Sequence, residues 1–226
     1  KKKNQTPIKL ESVVVRFAGD SGDGMQLTGN RFTSTAAIIG NDLGTFPDFP
    51  AEIRAPAGTL AGVSAFQVQF SSKDIFTPGD QLDVLVTMNP AALKVHLSEL
   101  KKGGIIIANK SNFKPRNLKL AGYESNPLED KTLSDYKVYD IEISNLVATA
   151  LEDKGLNAKT IDRTKNMFAL GLMYWIFNRP LDPTIEWLDK KFAKRPELAE
   201  ANTIALKAGN NFGDITEIFP SSYEVG

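Results

Sequence analysis

The chain reads as an α/β domain on a mixed sheet, with a helical C-terminal third. Three observations predict this. Val13 to Phe17 is a short apolar run that passes through a glycine-rich turn directly into a helical pattern. Val84–Thr87, Asn89-Pro90 and Ile105–Ala108 spell a β-α-β unit, with proline at the first helical position. Beyond about Ser144, only helical patterns remain.

In chain order, Val13 to Phe17 is apolar on both faces except at Arg16, as in an interior strand. The helix from about Met25 to Ile39 carries Met25, Phe32, Ala36 and Ile39 on one stripe, with Gly29 allowing close packing and Gly40 as its stop. Asn41 to Gly62 fits no regular element and is expected to be a long ordered loop or two short extended pieces, a length that usually serves function. Val63 to Phe70 alternates like a half-exposed strand of a mixed sheet, and Thr77-Pro78-Gly79-Asp80 reads as a turn.

The helix opened by Pro90 turns Leu93, Leu97 and Leu100 inward and is expected to stop at Lys101-Lys102-Gly103-Gly104. Ser111 to Asp135 is loop-like, and Val138 to Ile143 gives the last strand. Helices follow from near Ser144 to Lys154-Gly155, over Thr164–Phe177, over Pro183–Phe192 with Asp182 as cap, and over Pro196–Ala208 ended by Gly209. His96 falls beside a buried stripe as a boundary residue. The expected division is a polar tail over 1–11, one domain over 12–219 and a linker to a following domain over 220–226.

Composition excludes several functions. Lys+Arg and Asp+Glu balance at 27 each, so no field gathers nucleic acid or an anionic membrane. With no cysteine and one histidine, the chain holds no disulfide, no thiolate metal site and no iron–sulfur ligands, and it suits a cytoplasmic setting. The apolar run Met167 to Phe177 is far shorter than the roughly 20 residues that span a bilayer.

The chemistry-bearing stretch is Gly19-Asp20-Ser21-Gly22-Asp23-Gly24. Glycines there let the backbone take positive φ and approach another surface, and the helix that follows presents unpaired N–H groups. Two readings are open: a tight βα connection in which Asp23 or Ser21 caps the helix, or a ligand or partner surface at the strand's end. The spacing is not Gly-x-Gly-x-x-Gly, and no Lys-Ser or Lys-Thr follows, so neither a dinucleotide fingerprint nor a Walker loop is present. Gly22-Asp23-Gly24 looks like the magnesium-holding sequence of thiamine diphosphate enzymes. That sequence is followed by paired asparagines, whereas here Asn41 stands alone and Asn210-Asn211 is too distant. Glu52 and Arg54 form a small charged pair in the proline-rich loop, either solvated or packed against another chain. No nucleophile–base–orienter set is visible.

Phe17-Ala-Gly-Asp-Ser-Gly-Asp-Gly-Met-Gln-Leu-Thr-Gly29 and Asp48-Phe-Pro-Ala-Glu-Ile-Arg-Ala-Pro-Ala-Gly-Thr59 together resemble the γ domain of 2-oxoacid:ferredoxin oxidoreductases. The closest form is the one fused ahead of the pyrimidine-binding region in the α subunit of the 2-oxoglutarate enzyme. Asp83-Val-Leu-Val-Thr-Met-Asn-Pro-Ala-Ala-Leu93, Lys165-Asn-Met-Phe-Ala-Leu-Gly171 and Glu200-Ala-Asn202 fit as well. Free-standing γ subunits read Gly-x-Gly-Gly-Gln-Gly at the turn; here Ser21 and Asp23 replace a glycine and the glutamine, as the fused branch tends to do.

The resemblance implies a three-layer, Rossmann-like domain of an enzyme that decarboxylates a 2-oxoacid on thiamine diphosphate, forms an acyl-CoA and reduces ferredoxin. It implies coenzyme A near Gly19, Asp20, Ser21, Gly22, Asp23, Gly24, Glu52 and Arg54, with no catalytic or metal-ligating residue in this chain. Thiamine diphosphate, magnesium and the iron–sulfur cluster would sit in partner domains, namely the following pyrimidine-binding domain and a β subunit, and the isolated chain would be inactive. An alternative from another class is a stand-alone nucleotide-binding or adaptor domain.

Overall fold

The computed structural model describes residues 7–52, 54–77, 79 and 81–225. Among these are eight strands: β1 (Ile8–Leu10), β2 (Ser12–Asp20), β3 (Asp42–Asp48), β4 (Val63–Ser71), β5 (Leu82–Thr87), β6 (Leu100–Asn109), β7 (Lys137–Ile141) and β8 (Tyr223–Val225). The α-helices are α1 (Met25–Ile39), α2 (Pro90–His96), α3 (Pro115–Leu120), α4 (Ile143–Ala150), α5 (Ala158–Asp162), α6 (Lys165–Ile176), α7 (Asp182–Lys191) and α8 (Pro196–Ile215).

Six strands form the central sheet in the order β3-β4-β2-β5-β6-β7. β2, β5, β6 and β7 run parallel, while β4 is antiparallel to both β2 and β3. Strand pleating sends Val13, Val15 and Phe17 into one core with α1, α4, α6, α7 and α8, and Val14 and Ala18 into a second core with α2 and α3. The result is the three-layer mixed α/β architecture expected from sequence.

Several local expectations are corrected. β4 is buried on both faces rather than half-exposed, because it lies between β3 and β2 and its Gln67 accepts from Arg16 Nε at 3.1 Å. Part of the 41–62 stretch is the edge strand β3, and 101–104 continue in β6 instead of ending a helix, which closes with a 3-10 turn over Leu97–Glu99. The 111–135 region contains α3, and α5 follows α4. Asp182 opens α7 without a side-chain capping bond. Ile39 is exposed, whereas His96 is only 2 % exposed. In the 77–80 turn, Pro78 and Asp80 lie outside the described residues, as do residues 1–6, Ile53 and Gly226.

Residues 8–10 and 223–225, read from sequence as tail and linker, pair as a parallel two-stranded sheet, and Asn41 Nδ2 donates to Val225 O at 3.0 Å. Gly209 does not end α8, which runs on to Ile215. A Cβ at Gly209 would lie 1.9 Å from Phe168 O, and one at Gly171 would lie 1.9 Å from Leu206 O. These two glycines let α6 and α8 touch backbone to backbone.

Candidate functional site

The topology locates the crevice. From β2 the chain passes through α1 on one face to β3; from β5 it passes through α2 on the opposite face to β6. β2 and β5 are neighbours, so the connections diverge between them, and their C-terminal ends mark the place where open α/β sheets bind ligands. Asp20 ends β2 and Asn89 follows β5 at that point.

The Gly19–Gly24 turn closes on itself. The Asp20 N–H donates to Asp23 Oδ2 at 2.9 Å, and the Asp23 N–H donates to Asp20 O at 2.9 Å. Gly24 takes φ 77°, a left-handed value that glycine adopts readily, and α1 begins with no side-chain cap. Asp23 is therefore not the helix cap expected from sequence; its carboxylate is spent elsewhere. Its Oδ1 pairs with Lys165 Nζ at 3.0 Å, and Lys165 also reaches Asp162 Oδ2 at 2.8 Å.

Lys165 opens α6 with a side chain only 7 % exposed. Burial opposes its charge, but Asp23 and Asp162 outweigh burial and raise its pKa. Asp20 shifts upward as well: burial is the largest cause and Asp23 adds to it, against the bond from Gly58 and the nearby Asn89 amide. Asp20 Oδ1 accepts from the Gly58 N–H at 2.9 Å, which fastens the proline-rich loop to the turn. Asn166 packs its carboxamide against Gly24, its Nδ2 standing 2.5 Å from where a Cβ would be. Gln26 Nε2 donates to Ala65 O at 2.7 Å, tying α1 to β4 beside the site.

Of the candidate residues, Ser21 and Gly22 are exposed at the tip, and Gly19 is buried beneath it. A Cβ at Gly22 would meet nothing within 4 Å. Glu52 and Arg54 are exposed and make no side-chain bond or ion pair among the described residues; the loop joins the turn through Gly58 instead. Sequence reasoning passed over Lys165, Asn166 and Asn89 as site residues. Lys165 and Asn166 sit at the head of a helix that is otherwise apolar all round, the one available sign that something polar is needed there. No cluster of three or more His, Cys, Asp or Glu suited to a metal occurs among the described residues, and no described helix is long and apolar enough to cross a membrane.

A second buried polar cluster braces β2 against α2. Arg16 Nη1 lies 2.7 Å from His96 Nδ1 and 2.5 Å from Glu99 Oε1. Burial, reinforced by Arg16, holds the His96 pKa below the usual histidine value. Burial raises Glu99, but its bonds to Arg16 and His96 prevail and lower it overall.

Known proteins share this architecture. The chain is 56% identical over 217 residues to the 2-oxoglutarate oxidoreductase subunit KorA of Mycobacterium tuberculosis, covering 96% of this chain and 33% of that subunit. It thus spans about a third of the length of that relative. The structure of 2-oxoglutarate:ferredoxin oxidoreductase from Magnetococcus marinus, with 2-oxoglutarate, coenzyme A and succinyl-CoA bound, superposes with a TM-score of 0.70 at 25% identity, over 95% of this chain and 33% of that one. The keto/oxoacid ferredoxin oxidoreductase gamma subunit from Geobacter sulfurreducens matches in fold with a TM-score of 0.57 at 20% identity, over 89% of this chain and 98% of that subunit. The pyruvate ferredoxin/flavodoxin oxidoreductase family matches residues 14–212, and the chain belongs to that family.

Proposed function

We propose that the chain is the γ-type domain of a 2-oxoglutarate:ferredoxin oxidoreductase. The enzyme would convert the 2-oxoacid and coenzyme A to acyl-CoA and CO2, with the electrons passed to ferredoxin. In this reading the domain helps to bind coenzyme A at the Gly19–Gly24 turn and packs against the pyrimidine-binding domain and the β subunit. The observation that carries the reading is the turn itself: a close-approach surface at the divergence of β2 and β5, with open space over Gly22.

Thiamine diphosphate and its magnesium do not fit here. Asp23, the counterpart of a metal-holding aspartate, has one oxygen on Lys165 and the other on the Asp20 N–H. Glu52 and Arg54 stand on the exposed loop pinned by Asp20 and would meet the coenzyme or a neighbouring domain.

The reading is tested in the assembled complex by following 2-oxoglutarate- and coenzyme A-dependent reduction of ferredoxin while measuring amide exchange. Coenzyme A should slow exchange in the peptide covering 19–24 and in the loop joined to it. Turnover that depends on coenzyme A without protection of either segment would move the coenzyme to other surfaces.

A further inference from the structure

We infer that Arg179 anchors a site for a small oxyanion from solution, with inorganic phosphate as its simplest form. The site lies at the end of α6 remote from the turn and does not depend on coenzyme A. Lys165 opens α6 beside the turn, and Arg179 follows the last residue, Ile176; a helix of 12 residues, about 18 Å long, separates them.

The local backbone turns the side chain inward. After Phe177, Asn178 takes φ 51°, a left-handed value that asparagine tolerates better than most residues. The Arg179 N–H then donates to Tyr174 O at 2.7 Å, and Pro180 restrains the chain that follows. Arg179 is only 5 % exposed, and its guanidinium lies 5.1 Å from the centre of the Phe70 ring of β4.

The charge there is unmatched. Nε and Nη2 are enclosed without a hydrogen-bond partner, and among the described residues no carboxylate pairs with the guanidinium. Burial holds its pKa down to about 10, and the one other group that bears on it is Tyr174, not an Asp or Glu. It is still a cation at neutral pH, and arginine is seldom buried unless paired. The face of Phe70 attracts that cation but leaves the N–H groups at its edge without an acceptor. A second cation stands nearby. Arg31 of α1 also acts on the Tyr174 hydroxyl, its guanidinium stacks 4.3 Å from the centre of the Trp187 ring, and its Nε is likewise enclosed and unpaired.

The open edge sets the ligand. Nη1 is the one guanidinium nitrogen of Arg179 that is not fully enclosed, so an approach from solvent meets Nη1 and Nη2, an end-on fork that fits two oxygens of one oxyanion. With so little of the residue exposed, the opening suits a compact solute rather than the surface of another protein.

The test is thermal unfolding of the 226-residue chain in inorganic phosphate and in sodium chloride of matched ionic strength, for wild type and Arg179→Met. Phosphate excluded from the surface stabilises any folded chain, so the readout is the difference between the two proteins. At ten times the half-saturating concentration, the phosphate-induced rise in Tm should be about 4 °C larger in wild type than in Arg179→Met. In chloride, Arg179→Met should be at least as stable as wild type, because an apolar group replaces a buried charge that has no partner. Arg179→Lys keeps the charge without the fork and should show an intermediate rise. If Arg179→Met does not fold, the Arg179 Nε–H resonance of the wild type decides: it should shift saturably with phosphate at constant ionic strength. Equal phosphate-induced rises in wild type and Arg179→Met, or a resonance that phosphate leaves in place, would overturn the inference and leave Arg179 as a packing partner of Phe70.

Discussion

Replacing Lys165 with methionine isolates what holds the turn in shape. The substitution keeps most of the apolar stem and removes an ammonium that bridges Asp23 at 3.0 Å and Asp162 at 2.8 Å. Asp162 is about half exposed and can turn to water, but the Asp23 side chain is only 12 % exposed and is left beside Asp20 without its counter-ion. Removing one partner of a buried pair costs about 3 kcal/mol at the lower end of the usual range, which for a chain of this length is a fall in Tm of about 9 °C. The exposed pair Lys154–Glu200, with side chains 39% and 57% exposed, is the internal control. Lys154→Met should cost less than about 1 kcal/mol.

Thermal and urea unfolding of the two variants, with Asp23→Asn and the double variant completing a cycle, reads the coupling directly. Asp23→Asn should restore much of the stability lost in Lys165→Met. The raised Lys165 pKa also fixes a pH sense: the stabilisation is complete below the ordinary lysine value of 10.5 and is lost as pH climbs through the higher folded value. Equal small losses in Lys165→Met and Lys154→Met, or no recovery in the double variant, would refute the claim that this pair shapes the turn.

Further outcomes follow from other parts of the molecule. His96 is the single histidine, so one NMR titration should show an imidazole pKa below 6.5. Because that pKa is depressed on folding, stability should fall as pH drops through 6.5 toward the folded value, and His96→Gln should remove that slope. Gly209→Ala would stabilise an ordinary helix by about 1 kcal/mol; here it should destabilise by about 2 kcal/mol or more in urea unfolding, since the new Cβ meets the Phe168 carbonyl. Gly29→Ala should likewise destabilise, because its Cβ would lie 2.1 Å from the Phe66 ring.

The parts legible in the sequence are those where one physical demand dominates. Val13–Phe17, Arg16 apart, and Ile105–Ala108 must be buried strands because both faces are apolar, and Asn89-Pro90 is a helix start because Asn89 Oδ1 receives the Ala92 N–H at 2.8 Å. The parts that misled are those where one residue type serves two demands. Gly209 has the look of a helix stop and is instead a contact point between helices. Asp23 has the look of a cap and is instead a counter-ion to a lysine 142 positions away in the chain, which no local pattern can reveal. β3 was hidden because an edge strand paired on one side, bearing Gly44 and Pro47, lacks alternating burial. Gln67 broke the reading of β4 because a polar side chain paired with Arg16 inside the fold has the sequence pattern of one facing water.

Gly22→Val in the assembled complex puts a side chain where coenzyme A is proposed to approach the turn. A Cβ there finds nothing within 4 Å, so the added side chain starts into open space and unfolding should change little. The KM for coenzyme A should rise about tenfold or more, the loss of one or two close contacts, with the KM for 2-oxoglutarate unaltered. A folded Gly22→Val complex with wild-type KM for coenzyme A would contradict that placement.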